Sequence, residues 1–425
     1  MTNILFVSCY STDINNSASI ELIYYINLLA KSGKFNVHLL TMDFPNNTIY
    51  YDSEISKFVH KNVVVHRVKG GIILDRMLPR VSFNSDKKEF KNYKSILIKV
   101  KNIVTMVDPY ISWTYKAFKY FKENLKDIKF DIILGMHEPP SSLICSYKIK
   151  DFIKKNNLNI KLISYFSDPY CNELSRKKRS FFIRKLNEVI EKKIVRKSDK
   201  FLFVTQNNFE YYKDKYGINS NNMELIHRCF DKEIYKNCDK SYPIEFSKSK
   251  INLLHAGDIV SGMRDVTNFI KALDCINQNY NEKFKKLNIN FYGNINDFNQ
   301  EKLVKSKDYI CFKHRVSYSK IINFMINSDV LIIFANKEFK QIPAKIYDYM
   351  GTNSYILIIF ESYEDPLYKL VKNIEGVICV LNNCDDIVIM LMNLIDSFNV
   401  NSYFDRSNFN NNEDIYKKLE NVFYK

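Results

Sequence analysis

Short apolar runs alternate with longer stretches of helical periodicity along the first half of the chain. The apolar runs cover residues 4–8, 36–42, 131–135, 161–166 and 201–205. Between the first two runs, residues 18–31 repeat apolar side chains at helical spacing. Continuous apolar strands separated by helices are typical of a parallel sheet that is covered on both faces. The first half therefore predicts a doubly wound α/β domain.

The same alternation restarts after residue 250. Predicted strands cover residues 251–256, 288–292, 330–334 and 355–360, and predicted helices cover residues 266–277, 318–327 and 344–350. The pattern predicts an α/β fold of two doubly wound, Rossmann-like domains that face each other across a cleft. The predicted boundaries are a domain at 1–235, a linker at 236–250, a domain at 251–400 and a helical tail at 401–425. In open α/β sheets, ligands bind beyond the carboxyl ends of the strands.

Composition excludes several classes of protein. No apolar run reaches the roughly 18 residues that a membrane-spanning helix needs. The nine cysteines form no CxxC pair and no Cys/His cluster with zinc spacing, so we expect no metal site and a reducing, cytoplasmic compartment. The sequence contains neither GxGxxG nor a Walker motif, which disfavours a dinucleotide-dependent enzyme and a P-loop NTPase.

Positive charge is concentrated in the first half of the chain. Residues 1–235 hold 39 Lys and Arg against 24 Asp and Glu, whereas residues 236–425 hold 24 against 23. Residues 176–200 carry 11 cationic side chains against 3 acidic ones, and residues 87–101 carry six lysines. Both segments fit a helix on an anionic membrane surface, and both equally fit a core helix with a solvated basic face. Aromatic side chains do not interleave with the charges, so we expect no nucleic-acid partner.

Two segments of the second half place polar groups where a phosphate could bind. In residues 253–264, Gly257 ends a predicted strand and Arg264 precedes the next helix, which suits a diphosphate; a plain turn with a surface arginine fits as well. In residues 341–357, Pro343 suits a first helical turn, and Lys345 and Asp348 share one face of the helix that follows. A surface ion pair would have the same spacing.

Two turns of the first half contain titratable side chains after predicted strands. His137 and Glu138 lie in residues 135–142, and Asp168 lies in residues 165–171. Loops at such positions often carry acid–base or hydroxyl-binding groups. An Asp before a proline also acts as a local cap, so Asp168 has a structural alternative.

The order of these motifs resembles a known family. Along the chain come Ala18-Ser19, DPYISW, MHEPPSS, SDPY, EKKIVRKSDKFLFVTQNNFEYY, LLHAG with Arg264, SYSKIINFMINSDVLII and IPAKIYDYMGT. This order is similar to that of GT-B-fold glycosyltransferases of the group-1, family 4-like class, found in bacterial capsule, O-antigen and exopolysaccharide synthesis. The resemblance covers most of residues 1–360.

The resemblance implies a retaining, metal-independent transferase that needs no cofactor and uses a nucleotide-diphosphate sugar as its donor. Gly257 and Pro343 match the donor site of the second domain. Arg264 and Lys345 match the catalytic cations that hold the diphosphate, and Asp348 matches the acidic residue that binds the ribose.

On the acceptor side, the resemblance implies that His137 and Asp168 contact sugar hydroxyls and take part in catalysis. The acceptor would be a saccharide, lipid-linked in surface-polysaccharide synthesis. The protein would then lie at the inner face of the plasma membrane, with 87–101 and 176–200 on the anionic surface.

The chain departs from the family pattern at Lys340, where many relatives carry a glutamate, and in the loop after the first strand, which lacks glycine. Two alternatives therefore stay open: a non-catalytic scaffold of GT-B fold at the membrane, and a nucleotide-sugar epimerase or phosphorylase on the same fold.

Overall fold

The chain divides into two compact units. Unit 1 comprises Met1–Arg228 and Asn412–Lys425, and unit 2 comprises Cys229–Asn411. The computed structural model describes residues 1–71, 74–75, 78, 106–156, 158–172, 176, 179–337, 342–399, 402, 404, 406, 409 and 411–424. Each unit is built around one parallel sheet with helices, which confirms the predicted α/β fold of two Rossmann-like units.

Unit 1 contains a seven-stranded sheet in the order β3-β2-β1-β4-β5-β6-β7, all of whose pairs are parallel. The strands are β1 (Thr2–Ser8), β2 (Phe35–Asp43), β3 (Val64–Lys69), β4 (Ile132–His137), β5 (Lys161–Phe166), β6 (Lys200–Phe203) and β7 (Met223–Leu225). The helices between them are α1 (Ser17–Lys31), α2 (Ile111–Tyr120), α3 (Pro140–Lys155), α4 (Phe181–Lys197) and α5 (Gln206–Tyr216). The core includes the fully buried Trp113, Phe166 and Tyr212.

Unit 2 contains a six-stranded parallel sheet in the order β10-β9-β8-β11-β12-β13. The strands are β8 (Ile251–Ala256), β9 (Leu287–Tyr292), β10 (Ile310–Lys313), β11 (Val330–Phe334), β12 (Tyr355–Phe360) and β13 (Val377–Leu381). The helices are α6 (Lys232–Asn237), α7 (Thr267–Asn279), α8 (Asn281–Phe284), α9 (Phe298–Lys305), α10 (Tyr318–Asn327), α11 (Lys345–Tyr349), α12 (Pro366–Val371) and α13 (Cys384–Ser397).

The strands that the sequence pattern misses are the edges of the two sheets. β5, β8, β11 and β12 have the predicted bounds at both ends, because each is an apolar run buried on both faces. β3, β7, β10 and β13 are edge strands of three to six residues, and their burial is interrupted by half-exposed positions. A strand that is covered on one side only does not produce a continuous apolar run.

The chain passes from unit 1 to unit 2 after Arg228 and returns to unit 1 at Asn412. The division falls between Arg228 and Cys229, so the predicted linker at 236–250 lies within unit 2. The terminal helix α14 (Asn412–Tyr424) belongs to unit 1, where Phe423 packs edge-to-face on Phe35 with ring centroids 5.6 Å apart. The tail is therefore an integral part of the first unit.

No helix in the described part of the chain is both long enough and apolar enough to cross a bilayer.

We expect that removal of the Leu419 side chain destabilises unit 1. Leu419 is 1% exposed on the inner face of α14, and truncation of a buried leucine to alanine costs about 2–5 kcal/mol in the free energy of unfolding. The single tryptophan, Trp113, is buried in unit 1, so its fluorescence during urea unfolding reports on that unit. Leu419→Ala should lower the urea midpoint, and the exposed Lys417→Ala on the same helix should not. Equal midpoints for the two variants would show that α14 does not stabilise unit 1.

Candidate functional site

Two glycines follow neighbouring strands of unit 2 at the carboxyl edge of its sheet. Gly257 follows β8 with φ 143°, and Gly293 follows β9 with φ 144°, both in the range that favours glycine. A Cβ on Gly293 would overlap the carbonyl of Gly257, and a Cβ on Gly257 would overlap the ammonium of Lys345. Only glycine therefore lets the two loops and the lysine pack this closely.

Lys345 is the first residue of α11, and its side chain lies against Gly257. Its Nζ is 3.5 Å from Nε2 of His255. Burial and the nearby positive charge of Arg264 hold the pKa of Lys345 well below its usual value. A cation at a helix N-terminus also faces the positive end of the helix dipole. The ammonium therefore stands in a site that disfavours its charge unless an anion binds.

His255 lies within β8, 1% exposed. Burial and the charge of Lys345 hold its pKa well below the usual value, so the ring is neutral. Its Nδ1 is 3.0 Å from the carbonyl oxygen of Ile332. Its Nε2 is 3.1 Å from the carbonyl oxygen of Gly257 and 3.5 Å from Nζ of Lys345. The neutral ring has a single N–H, so it donates to one of the two carbonyl oxygens. His255 thus contacts both the Gly257 backbone and the end of the lysine side chain.

Arg264 is held in place by two oxygen acceptors. Its Nη1 donates to the carbonyl oxygen of Asp258 at 2.6 Å, and its Nε donates to Oδ1 of Asn336 at 3.1 Å. Among the residues that the structure describes, Nη2 has no acceptor. The guanidinium is therefore oriented by the protein and keeps one nitrogen for a ligand.

Asp258 carries negative charge into the same cluster. Nε of Arg315 donates to its Oδ1 at 3.0 Å, Nη2 of Arg315 bonds to Oδ2, and the backbone N–H of Asn294 donates to Oδ1 at 2.9 Å. Burial raises the pKa of Asp258, but the hydrogen bonds and charge of Arg315 outweigh it, so the pKa lies below the usual value. The bidentate pair holds the loops after β8 and β10 together.

Asp348 lies one helical turn after Lys345 on α11 and is buried. Its Oδ1 is 3.4 Å from the hydroxyl of Tyr318, and its carbonyl oxygen accepts from the hydroxyl of Tyr235 at 2.7 Å. Pro343, also buried, precedes the helix by two residues. These contacts therefore hold α11, the helix that carries both Lys345 and Asp348, in place.

The structure brings together the residues that the sequence proposes for this site. Gly257, Arg264 and Lys345 form one cluster, and Asp348 adjoins Lys345 closely enough to affect its charge. Sequence reasoning missed three further members, His255, Asp258 and Arg315. Asp258 follows the predicted strand directly and could have been found by the same rule. His255 lies inside an apolar run that indicates core, and Arg315 follows β10, which was not predicted.

The cluster suits a diphosphate more than a metal ion. Three cationic side chains, Arg264, Arg315 and Lys345, converge on loops at the carboxyl edge of the sheet, where two carboxylates oppose them. Oriented guanidinium and ammonium donors are strong partners for phosphate oxygens. Within the described part of the chain, no three His, Cys, Asp or Glu side chains are placed to hold a metal ion.

In unit 1, His137 is the last residue of β4 and its side chain is 2% exposed. The ring contacts Phe166 and Tyr170, with centroids 5.8 Å and 5.9 Å apart. Burial and the charge of Arg176 hold the pKa of His137 well below its usual value. Neither ring nitrogen has a hydrogen-bond partner among the described residues. The sequence places His137 in an accessible loop, whereas the structure places its ring inside the unit, because the strand continues two residues beyond the predicted end.

Asp168 lies in the turn after β5 and is half-buried. Helix α4 holds the end of this turn: Oε1 of the buried Glu191 accepts from the backbone N–H of Cys171 at 3.0 Å. Asn187, also on α4, accepts from the hydroxyl of Tyr170 through its Oδ1 at 2.5 Å. The turn that carries Asp168 is thus fixed to α4.

Asp108, in the DPYISW motif, has a structural role. Its Oδ2 accepts from the backbone N–H of Ser141 at 2.8 Å, and its Oδ1 accepts from the Ser141 hydroxyl at 2.6 Å. The first of these bonds satisfies one of the backbone N–H groups that the first turn of α3 leaves free. Two other segments singled out from the sequence, 87–101 and Lys340, lie outside the described residues.

Solved structures share this fold across the whole chain. Sucrose-phosphate synthase from Thermosynechococcus elongatus superposes with a TM-score of 0.58 at 11% identity, covering 100% of this chain and 95% of that one. A mutant of Staphylococcus aureus TarM, in complex with fondaparinux, alpha-GlcNAc-glycerol and UDP, gives 0.60 at 10% identity and covers 100% of both chains. Anabaena Alr3699/HepE in complex with UDP gives 0.56 at 13% identity, covering 99% and 100%. The fold is therefore that of the GT-B glycosyltransferases.

Residues 76–234 match the sequence model of Glycosyltransferase Family 4. No curated protein sequence matches the chain. The match lies in unit 1 and at its junction with unit 2, and it includes the MHEPPSS and SDPY motifs. The resemblance to GT-B, family 4-like glycosyltransferases is thus confirmed by the fold and by this part of the sequence.

The lowered pKa of Lys345 can be tested directly. Because the charge of Arg264 disfavours the ammonium, Arg264→Ala should raise the pKa of Lys345 toward the ordinary lysine value of about 10.4. NMR titration of lysines labelled at Cε measures this, with the signal assigned by its loss in Lys345→Arg and the other lysines as internal reference. If the signal titrates at the same pH with and without Arg264, the two cations are not coupled.

Proposed function

We propose that the protein is a glycosyltransferase that moves a sugar from a nucleotide-diphosphate donor to a hydroxyl of a saccharide acceptor. The observation that carries this proposal is the pair of cations, Arg264 and Lys345, beside Gly257 at the carboxyl edge of the unit 2 sheet. Its position matches the general rule for ligand sites in open α/β sheets. Three of the structures with this fold contain UDP or a UDP-sugar.

The cluster would act on the leaving group. As the bond between the anomeric carbon and the diphosphate oxygen breaks, negative charge grows on that oxygen. Lys345 and Nη2 of Arg264 are already oriented, so they would stabilise this charge without reorganisation. The anion would in turn relieve the repulsion between the two cations. Asp348, one turn along α11, would accept hydrogen bonds from the ribose hydroxyls.

On the acceptor side, Asp168 is the proposed contact to sugar hydroxyls, since its turn is held firmly by α4. His137 is also proposed as a hydroxyl contact. Its two ring nitrogens lack partners among the described residues, so a bound hydroxyl would satisfy one of them. Because the side chain is 2% exposed, a hydroxyl would reach it only after neighbouring side chains move.

The finer features of the reaction are proposed on the resemblance to the family. They are retention of anomeric configuration, hexosyl transfer and independence from a metal ion, whose charge Arg264, Arg315 and Lys345 would replace. The acceptor is proposed to be lipid-linked, in capsule, lipopolysaccharide or exopolysaccharide synthesis at the cytoplasmic face of the membrane. Two observations support this: the positive charge of residues 1–235, and a shared fold with WaaG, a glycosyltransferase involved in lipopolysaccharide biosynthesis (TM-score 0.54, 9% identity).

Nucleotide binding tests the donor site. In thermal shift with UDP, GDP, ADP, CMP and dTDP, one nucleotide at 100 times its dissociation constant should add about 2.7 kcal/mol of stability. Arg264→Ala should lose this shift, and Lys302→Ala, an exposed cation on α9, should keep it. A wild-type chain that no nucleotide stabilises, or an Arg264→Ala variant with the full shift, would contradict the proposal.

Turnover tests the reaction itself. With the nucleotide sugar of the base identified by thermal shift, transfer to a saccharide acceptor should fall at least about hundredfold in Arg264→Ala, the usual effect of removing one preorganised donor to a developing anion. Release of nucleotide should require the acceptor. Conversion of the donor sugar without any acceptor would instead identify an epimerase.

A further inference from the structure

An acidic side chain stands among the cations of the unit 2 site. Asp258 directly follows Gly257, the residue against which Lys345 packs. Its carbonyl oxygen accepts a hydrogen bond from Nη1 of Arg264 at 2.6 Å. Both cations that are proposed to hold the diphosphate therefore lie beside this residue, and a bound diphosphate would feel the negative charge of its carboxylate.

The carboxylate of Asp258 is paired with Arg315, which follows β10. Nε of Arg315 donates to Oδ1 of Asp258 at 3.0 Å, and Nη2 donates to Oδ2. The side chains of Arg315 and Asp258 are 28% and 20% exposed. The pair is therefore not enclosed in the core, and it can act on a ligand as well as on the two loops that it joins.

The charges of Asp258 and Arg315 act on Lys345 in opposite directions. Burial and the positive charge of Arg264 lower the pKa of Lys345, whereas the charge of Asp258 raises it and the charge of Arg315 lowers it. Burial also lowers the pKa of Arg264, and Asp258 again acts in the opposite direction. Both members of the pair thus influence the diphosphate site, and their effects oppose each other.

We propose that Asp258 and Arg315 form a charge-balancing pair that limits how tightly the unit 2 site holds a diphosphate. Asp258 repels the ligand, and Arg315 offsets that repulsion. The inference rests on the proposed function, because a transferase must release the nucleoside diphosphate after each transfer. Affinity that donor and product share lowers KM without raising kcat, and slow release of product limits turnover in many enzymes.

The alternative is that the pair is only a clamp between loops. Asp258 lies in the loop after β8 and Arg315 in the loop after β10, and the backbone N–H of Asn294, after β9, donates to Oδ1 of Asp258 at 2.9 Å. The two roles make opposite predictions for Asp258. Loss of a clamp loosens the site and weakens binding, whereas loss of a repelling charge strengthens binding.

Three variants of the full chain separate these roles by titration calorimetry with the nucleoside diphosphate that thermal shift identifies. Asp258→Asn keeps the shape of the side chain and removes its charge, so it should bind at least about tenfold tighter than the wild type. Arg315→Gln leaves the carboxylate without its offset, so it should bind at least about tenfold more weakly. The double variant loses both charges and should return to within about threefold of the wild type.

The expected direction for Asp258→Asn takes the protonation of Lys345 into account. Asp258 favours the charged form of Lys345, so its removal makes uptake of a proton by that lysine less favourable. A nucleoside diphosphate brings more negative charge than one proton offsets. The relief of repulsion therefore outweighs this effect, and binding becomes tighter.

A conservative variant and turnover add two readouts that a clamp would not reproduce. Arg315→Lys keeps the positive charge and loses the guanidinium fork, so it should bind the nucleoside diphosphate within about threefold of the wild type. If the pair is a clamp, Arg315→Lys should resemble Arg315→Gln. During transfer, Asp258→Asn should show a lower donor KM and stronger inhibition by the nucleoside diphosphate.

Matched controls make the same changes of charge elsewhere on unit 2. Asp308→Asn lies just before β10, at the opposite end of the strand from Arg315, and Lys302→Gln lies on α9; both side chains are exposed. Both controls should bind as the wild type does. Inorganic pyrophosphate is titrated in parallel, because it presents a diphosphate without a base. A wild-type circular dichroism spectrum shows that each variant is folded.

Three results would overturn the inference: Asp258→Asn that binds no more tightly than the wild type, a double variant as weak as Arg315→Gln, or a wild type that binds neither pyrophosphate nor any nucleotide. Failure of the proposed function is recognisable separately. In that case no nucleotide would bind and no sugar would be transferred, while pyrophosphate would still bind more tightly to Asp258→Asn and more weakly to Arg315→Gln.

Discussion

The ammonium of Lys345 packs against the backbone of Gly257 while Arg264 lies close enough to lower its pKa. Burying cations next to each other is unfavourable, and the protein maintains this arrangement with several bonds. Arg264 is tied to the carbonyl of Asp258, and the Asp258 carboxylate is tied to Arg315. The cluster is thus preorganised for an anion that the protein does not itself supply, and a bound diphosphate would both complete it and be held by it.

The parallel sheet makes the cluster possible. β8 and β9 end side by side, so Gly257 and Gly293 meet at the carboxyl edge. The missing side chain of Gly293 lets the Gly257 backbone approach, and the missing side chain of Gly257 leaves the space that Lys345 occupies. Unit 1 uses the same edge for a different purpose. There, β4 leads to His137 and β5 leads to the turn of Asp168, whose end is hydrogen-bonded to Glu191 of α4. Both the cationic cluster and the turn proposed to bind sugar hydroxyls therefore lie at the carboxyl ends of parallel strands.

Sequence alone predicts the central strands and proposes the first members of the donor site, because both produce local signals. β8, β11 and β12 are buried runs. Arg264 lies in the segment between β8 and the next helix, and Lys345 and Asp348 lie on α11, between β11 and β12. The edge strands and Arg315 escape prediction, since an edge strand is half-exposed and Arg315 reaches Asp258 from 57 residues away.

The most direct test of the account is a calorimetric comparison of UDP with uridine, or the equivalent pair for whichever base binds. The two ligands differ only in the diphosphate that Arg264 and Lys345 are proposed to hold. Two charge-assisted hydrogen bonds contribute at least about 3 kcal/mol, so the diphosphate should bind about hundredfold tighter or more. Equal affinities for the nucleoside and its diphosphate would contradict the account, since the cationic cluster would then have no anion to bind.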